Sequence, residues 1–457
     1  GKIKSSEQLW IAYNGKQLKS NQRGYWKVRA YTNKGLTEWS KPQEFGIGLL
    51  KESHWSGRWI GLERLMEGEQ KGLHTRLAAR YLRKEFELKD MQVVRATAHV
   101  SGLGLYELFI NGKKIGKNEV LKPVPSDYRK TVYYNSYDVT KVLAKKTAIG
   151  ITLGNGRMFT MRQHKPSKSP AFGFPKCRIN IIVEYADGST QRLTTDDSWK
   201  VTADGPIRAN NEYDGEEYDA RKELGMWKTV GYDDSKWLKV DRADIPYGAL
   251  RGQMTPNMIQ EKLDIKPVVT IVNGKTIVDF GQNISGWISF VPKGKEGDTI
   301  KIKYAEKLNP DGTLYTDNLR DAISEDIYIC NGKETYSAWH STFSYHGFRY
   351  AEIKGMESVK AENLAALVVA DKMQTTGTFE CSDTILNKVF KNAWWGIKTN
   401  YKGMPVDCPQ RNERQPWLGD RTVGSLGESF LFDNERLYSK WMRDICESQR
   451  EDGVFSD

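Results

Sequence analysis

The sequence predicts a multidomain protein in which β-sandwich domains are followed by the start of an all-α domain. Up to about residue 372, short apolar segments alternate in period two and are separated by turn dipeptides such as Asn14-Gly15 and Asn111-Gly112. From about residue 373, apolar residues recur at helical spacing instead. At 457 residues the chain is too long for one ordinary domain, so we expect several.

Residues 1–50 have the pattern of part of a β-sandwich. The segment Tyr25–Tyr31 alternates with period two, and a turn is expected at Asn33-Lys34-Gly35. The segment looks like the latter half of a fibronectin type III-like sandwich, whose first strands are absent. Because half a sandwich leaves unpaired edges and an open core, we expect the chain to be truncated at this end.

Two further β domains are predicted, over residues 51–245 and 246–372. The first is expected to be an accessory sandwich whose strands include Tyr81–Glu87, Val93–Ser101, Leu105–Ile110 and Ile179–Glu184. In the second, regular strand spacing and the turn Pro310-Asp311-Gly312 indicate another sandwich. His346 lies in an aromatic-rich strand of this domain, and we expect a satisfied core or interface residue there rather than a catalytic one.

Residues 373–457 are predicted to be helical. Ser382 or Asp383 can cap a first helix, and Gly403 ends it. Two more helices are expected at Val423–Phe432 and Glu435–Arg450. We interpret these as the N-terminal part of an (α/α)6 barrel that stops in mid-domain, because too few residues remain for twelve helices. The face of the first helix that we expect to pack in the core consists of Leu386, Val389, Phe390, Ala393, Trp394 and Ile397.

Composition excludes several classes of protein. The net charge is +11, but the basic residues are dispersed and no nucleic-acid-binding signature is present, so no nucleic-acid partner is expected. The five cysteines form no Cys-x-x-Cys pair, which argues against a disulfide framework or a structural zinc. No apolar run is long enough to span a membrane, and no signal peptide is visible. No metal or cofactor is implied by any motif.

The segment from Asp407 to Asp420 carries most of the chemistry. Its Pro- and Gly-broken sequence gathers three carboxylates, two arginines and a tryptophan. Carboxylates accept hydrogen bonds from sugar hydroxyls, an indole stacks on a sugar ring, and one carboxylic acid can donate a proton. The segment therefore suits a pocket that holds and protonates a sugar. The competing interpretation is a solvated charged loop, which Trp417 and the apolar helical sequence that follows argue against.

This segment resembles the active-site signature of bacterial α-L-rhamnosidases of glycoside hydrolase family 78. In that family the pattern runs Asp-Cys-Pro-x-Arg-Asp-Glu-Arg, then a Trp, then Gly-Asp. The chain departs from it at Asn412, where Asp is usual, and at Pro416, where Gly is usual. The β segments upstream are also similar to the accessory and barrel-adjacent β domains of the family. Such accessory domains can bind sugar, but for residues 51–245 we favour structural support over sugar binding. The matching residues are Asp407, Cys408, Pro409, Arg411, Glu413, Arg414, Trp417, Gly419 and Asp420.

The resemblance implies an inverting glycosidase that removes terminal α-L-rhamnose from plant polysaccharides or glycosides, with Glu413 as the acid. Asp407 and Asp420 are then expected to clamp sugar hydroxyls, and Trp417 to serve as the ring platform. Arg411 either binds a hydroxyl or fixes a clamp carboxylate. Whether the arginines or burial against Trp417 decide the pKa of the acid stays open at this point.

The resemblance also sets limits. The family's base is a glutamate in a later part of the barrel that nothing here matches, so we expect residues 1–457 alone to be inactive. A rhamnose-containing carbohydrate is the expected partner, a periplasmic or extracellular location is expected, and the oligomeric state is open. Two alternatives remain: another (α/α)6 glycosidase or polysaccharide lyase, and a non-catalytic carbohydrate-binding protein.

Overall fold

A computed structural model of the chain separates into two compact units, Gly1–Ser56 and Gly57–Asp457. Among the residues it describes, no helix combines the length and the apolar character that crossing a membrane requires. All five cysteines carry free thiols, which agrees with the expectation that they form no disulfide framework. The described residues are 3–7, 11–71, 74–75, 77–162, 171–243, 248–333 and 337–455.

In the part of the first unit that the structure describes, four short strands pair antiparallel as β1 with β4 and β2 with β3. The single strand predicted for Tyr25–Tyr31 is therefore interrupted. The reason is local, because the backbone N–H groups of Val28 and Ala30 donate to side-chain hydroxyls of Ser40 and Thr37 rather than to a strand ladder. The strands are β1 (Arg23–Trp26), β2 (Tyr31–Thr32), β3 (Gly35–Leu36) and β4 (Gln43–Gly46).

The second unit begins with eighteen strands, most of which form two facing sheets. The strands are β5 (Ile60–Gly61), β6 (Gln70–Lys71), β7 (His74–Thr75), β8 (Arg80–Glu87), β9 (Val93–Leu103), β10 (Leu105–Ile110), β11 (Lys113–Lys114), β12 (Glu119–Val120), β13 (Thr131–Asp138), β14 (Lys146–Gly154), β15 (Lys176–Tyr185), β16 (Thr190–Thr194), β17 (Lys200–Thr202), β18 (Ile207–Asn211), β19 (Gly215–Asp219), β20 (Leu238–Lys239), β21 (Asp241–Arg242) and β22 (Ala249–Gly252).

The two sheets form a β-sandwich. One has the order β11-β10-β14-β8-β17-β20, and the other has the order β21-β5-β15-β9-β13-β22 with β16 beside β15. Their apolar faces share one core, to which β14 contributes Ile151 and β9 contributes Val100. The two-residue hairpin at Asn111-Gly112 is confirmed, since both residues have positive φ and Ile110 pairs with Lys113.

A ten-stranded sheet follows, with the order β12-β23-β31-β25-β30-β26-β29-β19-β18 and with β24 beside β25. Strands β12, β18 and β19 come from the 51–245 segment, so strands of that segment are shared between the sandwich and this sheet. In β26, Ile300 and Ile302 are buried while Lys301 is exposed, as period two requires. Strands β27 and β28 pair with each other outside this sheet. The strands not yet given are β23 (Met258–Lys262), β24 (Val268–Val272), β25 (Lys275–Phe290), β26 (Thr299–Ala305), β27 (Lys307–Leu308), β28 (Leu314–Tyr315), β29 (Glu325–Ile329), β30 (His346–Lys354) and β31 (Leu364–Asp371).

His346 is a satisfied core residue, as predicted. Its ring is fully buried, with Nδ1 3.1 Å from the hydroxyl of Ser324 and Nε2 3.1 Å from Oδ1 of Asp326. The imidazole also stacks on Tyr304 at a centroid distance of 4.0 Å. Both ring nitrogens and one ring face are therefore engaged inside the sheet.

Three α-helices close the chain: α1 (Thr384–Thr399), α2 (Leu418–Leu431) and α3 (Glu435–Ser448). Asp383 caps α1, since its Oδ1 accepts the N–H groups of Ile385 and Leu386 at 2.7 and 3.3 Å. The prediction that α2 begins at Val423 is wrong by more than a turn. Short 3-10 turns lie at Glu52–His54, Thr140–Val142, Ala220–Lys222, Asp317–Leu319 and Ala361–Asn363.

The prediction that the whole apolar face of α1 is core packing is wrong for its N-terminal half. Trp394 and Ile397 pack on a core around Tyr401, but Leu386 and Val389 are 51% and 58% exposed. The physical reason is that, among the described residues, no element covers this end of the helix. Helical periodicity identified the apolar face, but periodicity cannot show whether a partner is present.

Replacing the cap of α1 tests the helix start. We expect Asp383→Ala to destabilise the helix by about 0.5–2 kcal/mol, because two terminal N–H groups lose their acceptor. Ser382→Ala is the matched control and should leave the helix unchanged. Amide hydrogen exchange across residues 384–390 measures both, and equal protection in the two variants would assign no capping role to Asp383.

Candidate functional site

The segment Asp407–Trp417, here called the signature loop, connects α1 to α2. Its two ends are tied together, because the N–H of Asp407 donates to the carbonyl of Gln415 at 2.9 Å and the N–H of Gln415 returns to Oδ1 of Asp407 at 2.8 Å. Arg414 has a φ of +55°, a conformation uncommon for a residue other than glycine. The loop is therefore a closed turn with one strained residue, and that residue has to be held by its surroundings.

Arg414 is held by its fully buried guanidinium. The side chain donates to the backbone carbonyls of Glu212, Tyr345, Arg411 and Gln410. It also lies over the ring of Tyr345 at 4.5 Å from the centroid. Since residue 212 follows β18 and residue 345 precedes β30, one side chain ties the signature loop to the β region at two points.

A second arginine reinforces this attachment from the sandwich. Arg157, just after β14, donates to the carbonyl of Arg414 at 2.7 Å and to the side chain of Gln415 at 3.3 Å. It also pairs with Glu212 at 3.1 Å, whose charge raises the pKa of the guanidinium against the opposing effect of burial. Next to Glu212, the hydroxyl of Tyr213 donates to the carbonyl of Glu413 at 3.2 Å. The β region therefore fixes the loop backbone at Glu413 and at Arg414.

Glu413 presents a partly exposed carboxylate at the surface of this loop. Its Oε2 accepts from Arg411 and from Arg320, both at 2.9 Å, and its Oε1 accepts the indole N–H of Trp417 at 3.1 Å. Arg320 comes from the segment between β28 and β29, so the carboxylate is contacted by its own loop and by the β region. Both oxygens are occupied by donors, which is the arrangement of an ionised carboxylate.

Burial changes the pKa of Glu413 less than the arginines and the Trp417 hydrogen bond do together. Burial raises the pKa of Glu413, but the charges of Arg411 and Arg320, together with the Trp417 and Arg411 hydrogen bonds, outweigh it and bring the pKa below its ordinary value. A general acid needs the opposite shift. In the geometry described here, the arginines and the indole of Trp417 therefore favour the ionised form of Glu413.

Asp407 and Asp420, both expected to clamp hydroxyls, lie in different surroundings. The Asp407 side chain is only 4% exposed and is engaged by Gln415 and by Arg411 at 3.3 Å, so it braces the loop. Asp420 is exposed in the first turn of α2, where an acidic residue suits the helix dipole. Its clamp role stays a prediction. Arg411 contacts both Asp407 and Glu413, which favours the alternative that it fixes carboxylates.

Trp417 can offer a ring face. Its indole is partly exposed and lines a cleft together with Trp441 and Phe172. An aromatic wall next to a fixed carboxylate is what stacking on a sugar ring requires. The platform role of Trp417 stays a prediction that this geometry permits.

Asn412, where the chain departs from the family pattern, is buried beside the partly exposed Glu413. Its Oδ1 atom has no hydrogen-bond partner among the described residues. The two neighbouring side chains thus face different surroundings. Nothing in the structure explains the asparagine at this position.

Three possible metal ligands lie close together, since atoms of Asp407, Cys408 and Glu413 are all within 4.8 Å of one another. The set suits a cation poorly. Burial, and next the hydrogen bond with Asp407, raise the pKa of the Cys408 thiol to about 12, so it stays protonated. Arg411 already supplies the positive charge between the two carboxylates.

Sequence reasoning missed the contacts from the β region. Arg320, Arg157 and Glu212 all reach the signature loop, yet each lies far from it in sequence and in no recognised motif. Their spacing from Glu413 carries no periodic or local signal. Only the folded sheets bring them to this loop.

Comparison with known proteins identifies the family. Four family models match successive parts of the chain: a Rha78A-like N-terminal immunoglobulin domain at residues 1–51, an α-L-rhamnosidase N-terminal domain at 91–262, a bacterial α-L-rhamnosidase concanavalin-like domain at 269–370 and a bacterial α-L-rhamnosidase 6 hairpin glycosidase domain at 374–457. The chain belongs to the bacterial α-L-rhamnosidase family. The signature loop lies within the part matched to the glycosidase domain.

Relatives named α-L-rhamnosidase align with nearly the whole chain. One from Formosa agariphila is 36% identical over 472 residues, covering 97% of this chain and 49% of the relative. One from Alteromonas sp. is 33% identical over 463 residues, covering 99% of this chain and 50% of the relative. The chain thus spans about half the length of these rhamnosidases.

Solved rhamnosidase structures have the same fold. The α-L-rhamnosidase from Dictyoglumus thermophilum aligns with a TM-score of 0.90 at 37% identity, over 99% of this chain and 51% of that one. The Streptomyces avermitilis enzyme complexed with L-rhamnose aligns with a TM-score of 0.92 at 25% identity, over 99% of this chain and 60% of that one. Their agreement covers the β domains and the three helices together.

The different surroundings of Asp407 and Asp420 predict different stabilities. We expect Asp407→Asn to destabilise the protein by about 1–3 kcal/mol, because a buried acceptor of an N–H and of Arg411 loses its charge and one of its oxygens. Asp420→Asn is the matched control and should change stability by no more than about 0.5 kcal/mol. Urea unfolding measures both, and equal losses would show that Asp407 does not brace the loop.

Proposed function

We propose that the protein hydrolyses terminal α-L-rhamnosides, with Glu413 as the general acid. The observation that carries this proposal is the fixed, partly exposed carboxylate of Glu413, which the indole of Trp417 contacts at 3.1 Å on a loop anchored from the β region. A carboxyl group in a fixed position beside an aromatic wall can protonate the oxygen of a bound glycoside. The L-rhamnose complex of the Streptomyces avermitilis relative supports rhamnose as the sugar.

We propose an inverting reaction. The acid protonates the leaving oxygen while a separate base activates water on the opposite face of the sugar, with the two carboxyl groups about 6.5–9.5 Å apart. Asp407 lies too close for that role, since one of its oxygens is within 4.8 Å of a Glu413 oxygen. Because the base of the family is a glutamate in a later part of the barrel, we propose that the base lies outside residues 1–457 and that these residues alone are inactive. Plant polysaccharides or glycosides are the proposed substrates.

We assign sugar contacts according to exposure. Trp417 is proposed as the ring platform, because part of its indole is open to the cleft. Arg411 is partly exposed and already orients the two carboxylates, so it is proposed to set their geometry. Asp420 is proposed as a hydroxyl clamp because it is exposed and therefore free to turn toward a ligand.

The helices support the proposal that an (α/α)6 barrel begins here. Besides Leu386 and Val389 of α1, the apolar residues Val423, Leu426 and Phe430 of α2 are 91%, 71% and 70% exposed. Apolar helix faces of this kind are stable when further helices cover them. In such a barrel the signature loop would lie at the end of the helices that it joins.

Replacing Glu413 tests the proposal. In the whole enzyme we expect Glu413→Gln to lower kcat/KM on substrates with poor leaving groups by about 10²–10⁴-fold, the usual contribution of general acid catalysis. Activated aryl rhamnosides need less protonation and should lose less. Glu451→Gln, at an exposed position after α3, is the control and should retain full activity. Equal losses on both substrates would remove Glu413 from the acid role.

A further inference from the structure

Arg320 reaches Glu413 from outside the signature loop. It follows the 3-10 turn Asp317–Leu319 in the β region and has a φ of +58°, so its backbone is fixed in an uncommon conformation. Leu319 anchors the turn in the core at 1% exposure. From this turn the Arg320 side chain extends to Oε2 of Glu413, and the side chain is 47% exposed.

The three donors to Glu413 differ in how firmly they are held. Arg411 also binds Asp407, and Trp417 precedes α2 directly, so both are fixed by the loop and helix. Among the described residues, the side chain of Arg320 makes its polar contact with Glu413. An exposed ion pair of this kind is weak and exchanges readily with solvent or ligand. Arg320 is therefore the donor most easily released.

We propose that Arg320 is a positioning residue that clamps the Glu413 carboxylate before substrate binds and has to release it for proton transfer. This rests on the proposed acid role of Glu413. On release, the carboxylate takes a proton from solvent and can later pass it to the leaving oxygen of the glycoside. The guanidinium that swings away keeps its charge, so no other group changes its protonation.

Among the described residues, two arginines and two acidic groups lie close to the carboxylate. They are Arg411 and Arg320, which favour its ionised form, and Asp407 and the Cys408 thiol, which lie within 4.8 Å. Losing Arg320 removes one of two favourable charges and leaves the rest of the set in place. The protonation midpoint of Glu413 should then rise, without reaching that of an isolated carboxyl group, because Arg411 remains.

The indole of Trp417 reports on Glu413 without any turnover, because its N–H donates to Oε1 of the same carboxylate. With ¹⁵N-tryptophan labelling, the Trp417 indole resonance, assigned by its loss in Trp417→Phe, should titrate with Glu413. In Arg320→Met the midpoint should rise by about 0.5–1 pH unit relative to the native protein. Arg320→Lys should shift it less, because the charge remains while the planar fork is lost.

Arg221→Met is the matched control. Arg221 is an exposed arginine paired with Asp219 at 2.8 Å. Its replacement removes the same charge at a different place and should leave the midpoint of Glu413 unchanged. An unchanged midpoint in both Arg320 variants would overturn the proposal. Should Arg320→Met lose its native spectrum, the Arg320→Lys shift decides the outcome in the same way.

Kinetics separate this proposal from the proposed function. In the whole enzyme, the alkaline limb of kcat/KM on a rhamnoside should move to higher pH in Arg320→Met, by the same interval as the indole midpoint. A purely structural role would lower thermal stability and leave that limb in place. If the indole midpoint shifts while the native whole enzyme does not hydrolyse rhamnosides, the acid role and the release for proton transfer both fail, and only the contact of Arg320 with the ionised carboxylate is supported.

Discussion

The buried guanidinium of Arg414 is the interaction on which the candidate site depends. A buried cation is costly unless its donors are satisfied, and here four backbone carbonyls and the ring faces of Tyr345 and Tyr213 satisfy it. Two of those carbonyls, at 212 and 345, belong to the β region. The strained backbone at Arg414 is kept in place by these contacts, and the position of the neighbouring Glu413 follows from it.

The charges around Glu413 divide into fixed and releasable ones. Arg414 is buried, Arg157 is 19% exposed, and both hold the loop backbone, whereas Arg411 and Arg320 are 32% and 47% exposed and act on the carboxylate. Arg414 and Arg157 define where the carboxylate is, and Arg411 and Arg320 favour its ionised form. With Glu413 as the proposed acid, the loop can stay rigid while the protonation of Glu413 changes, because different residues hold the loop and contact the carboxylate.

Much of this organisation follows from local sequence rules. The cap at Asp383, the hairpin at Asn111-Gly112 and the core position of His346 each depend on a few neighbouring residues, and each is found as predicted.

The start of α2 was missed because Leu418, Gly419 and Asp420 follow a proline and lack a helical stripe. The contact of Arg320 with Glu413 could not be predicted, because it joins segments 93 residues apart through sheet packing. The contacts by which Asp407 braces the loop and the positive φ of Arg414 were also not predicted. Both depend on a closed turn, which residue types alone do not specify.

Hydrogen exchange of the signature loop in an Arg414→Met variant tests most directly whether the β region positions the acid. In this variant an apolar, unbranched side chain replaces the arginine, and the donors to the carbonyls of Glu212 and Tyr345 are removed. We expect much faster exchange of the Asp407, Glu413 and Gln415 amides, with the amides of β9 and β15 still protected. Unchanged exchange at those three amides would show that the loop holds its shape without the buried guanidinium, which would contradict positioning by the β region.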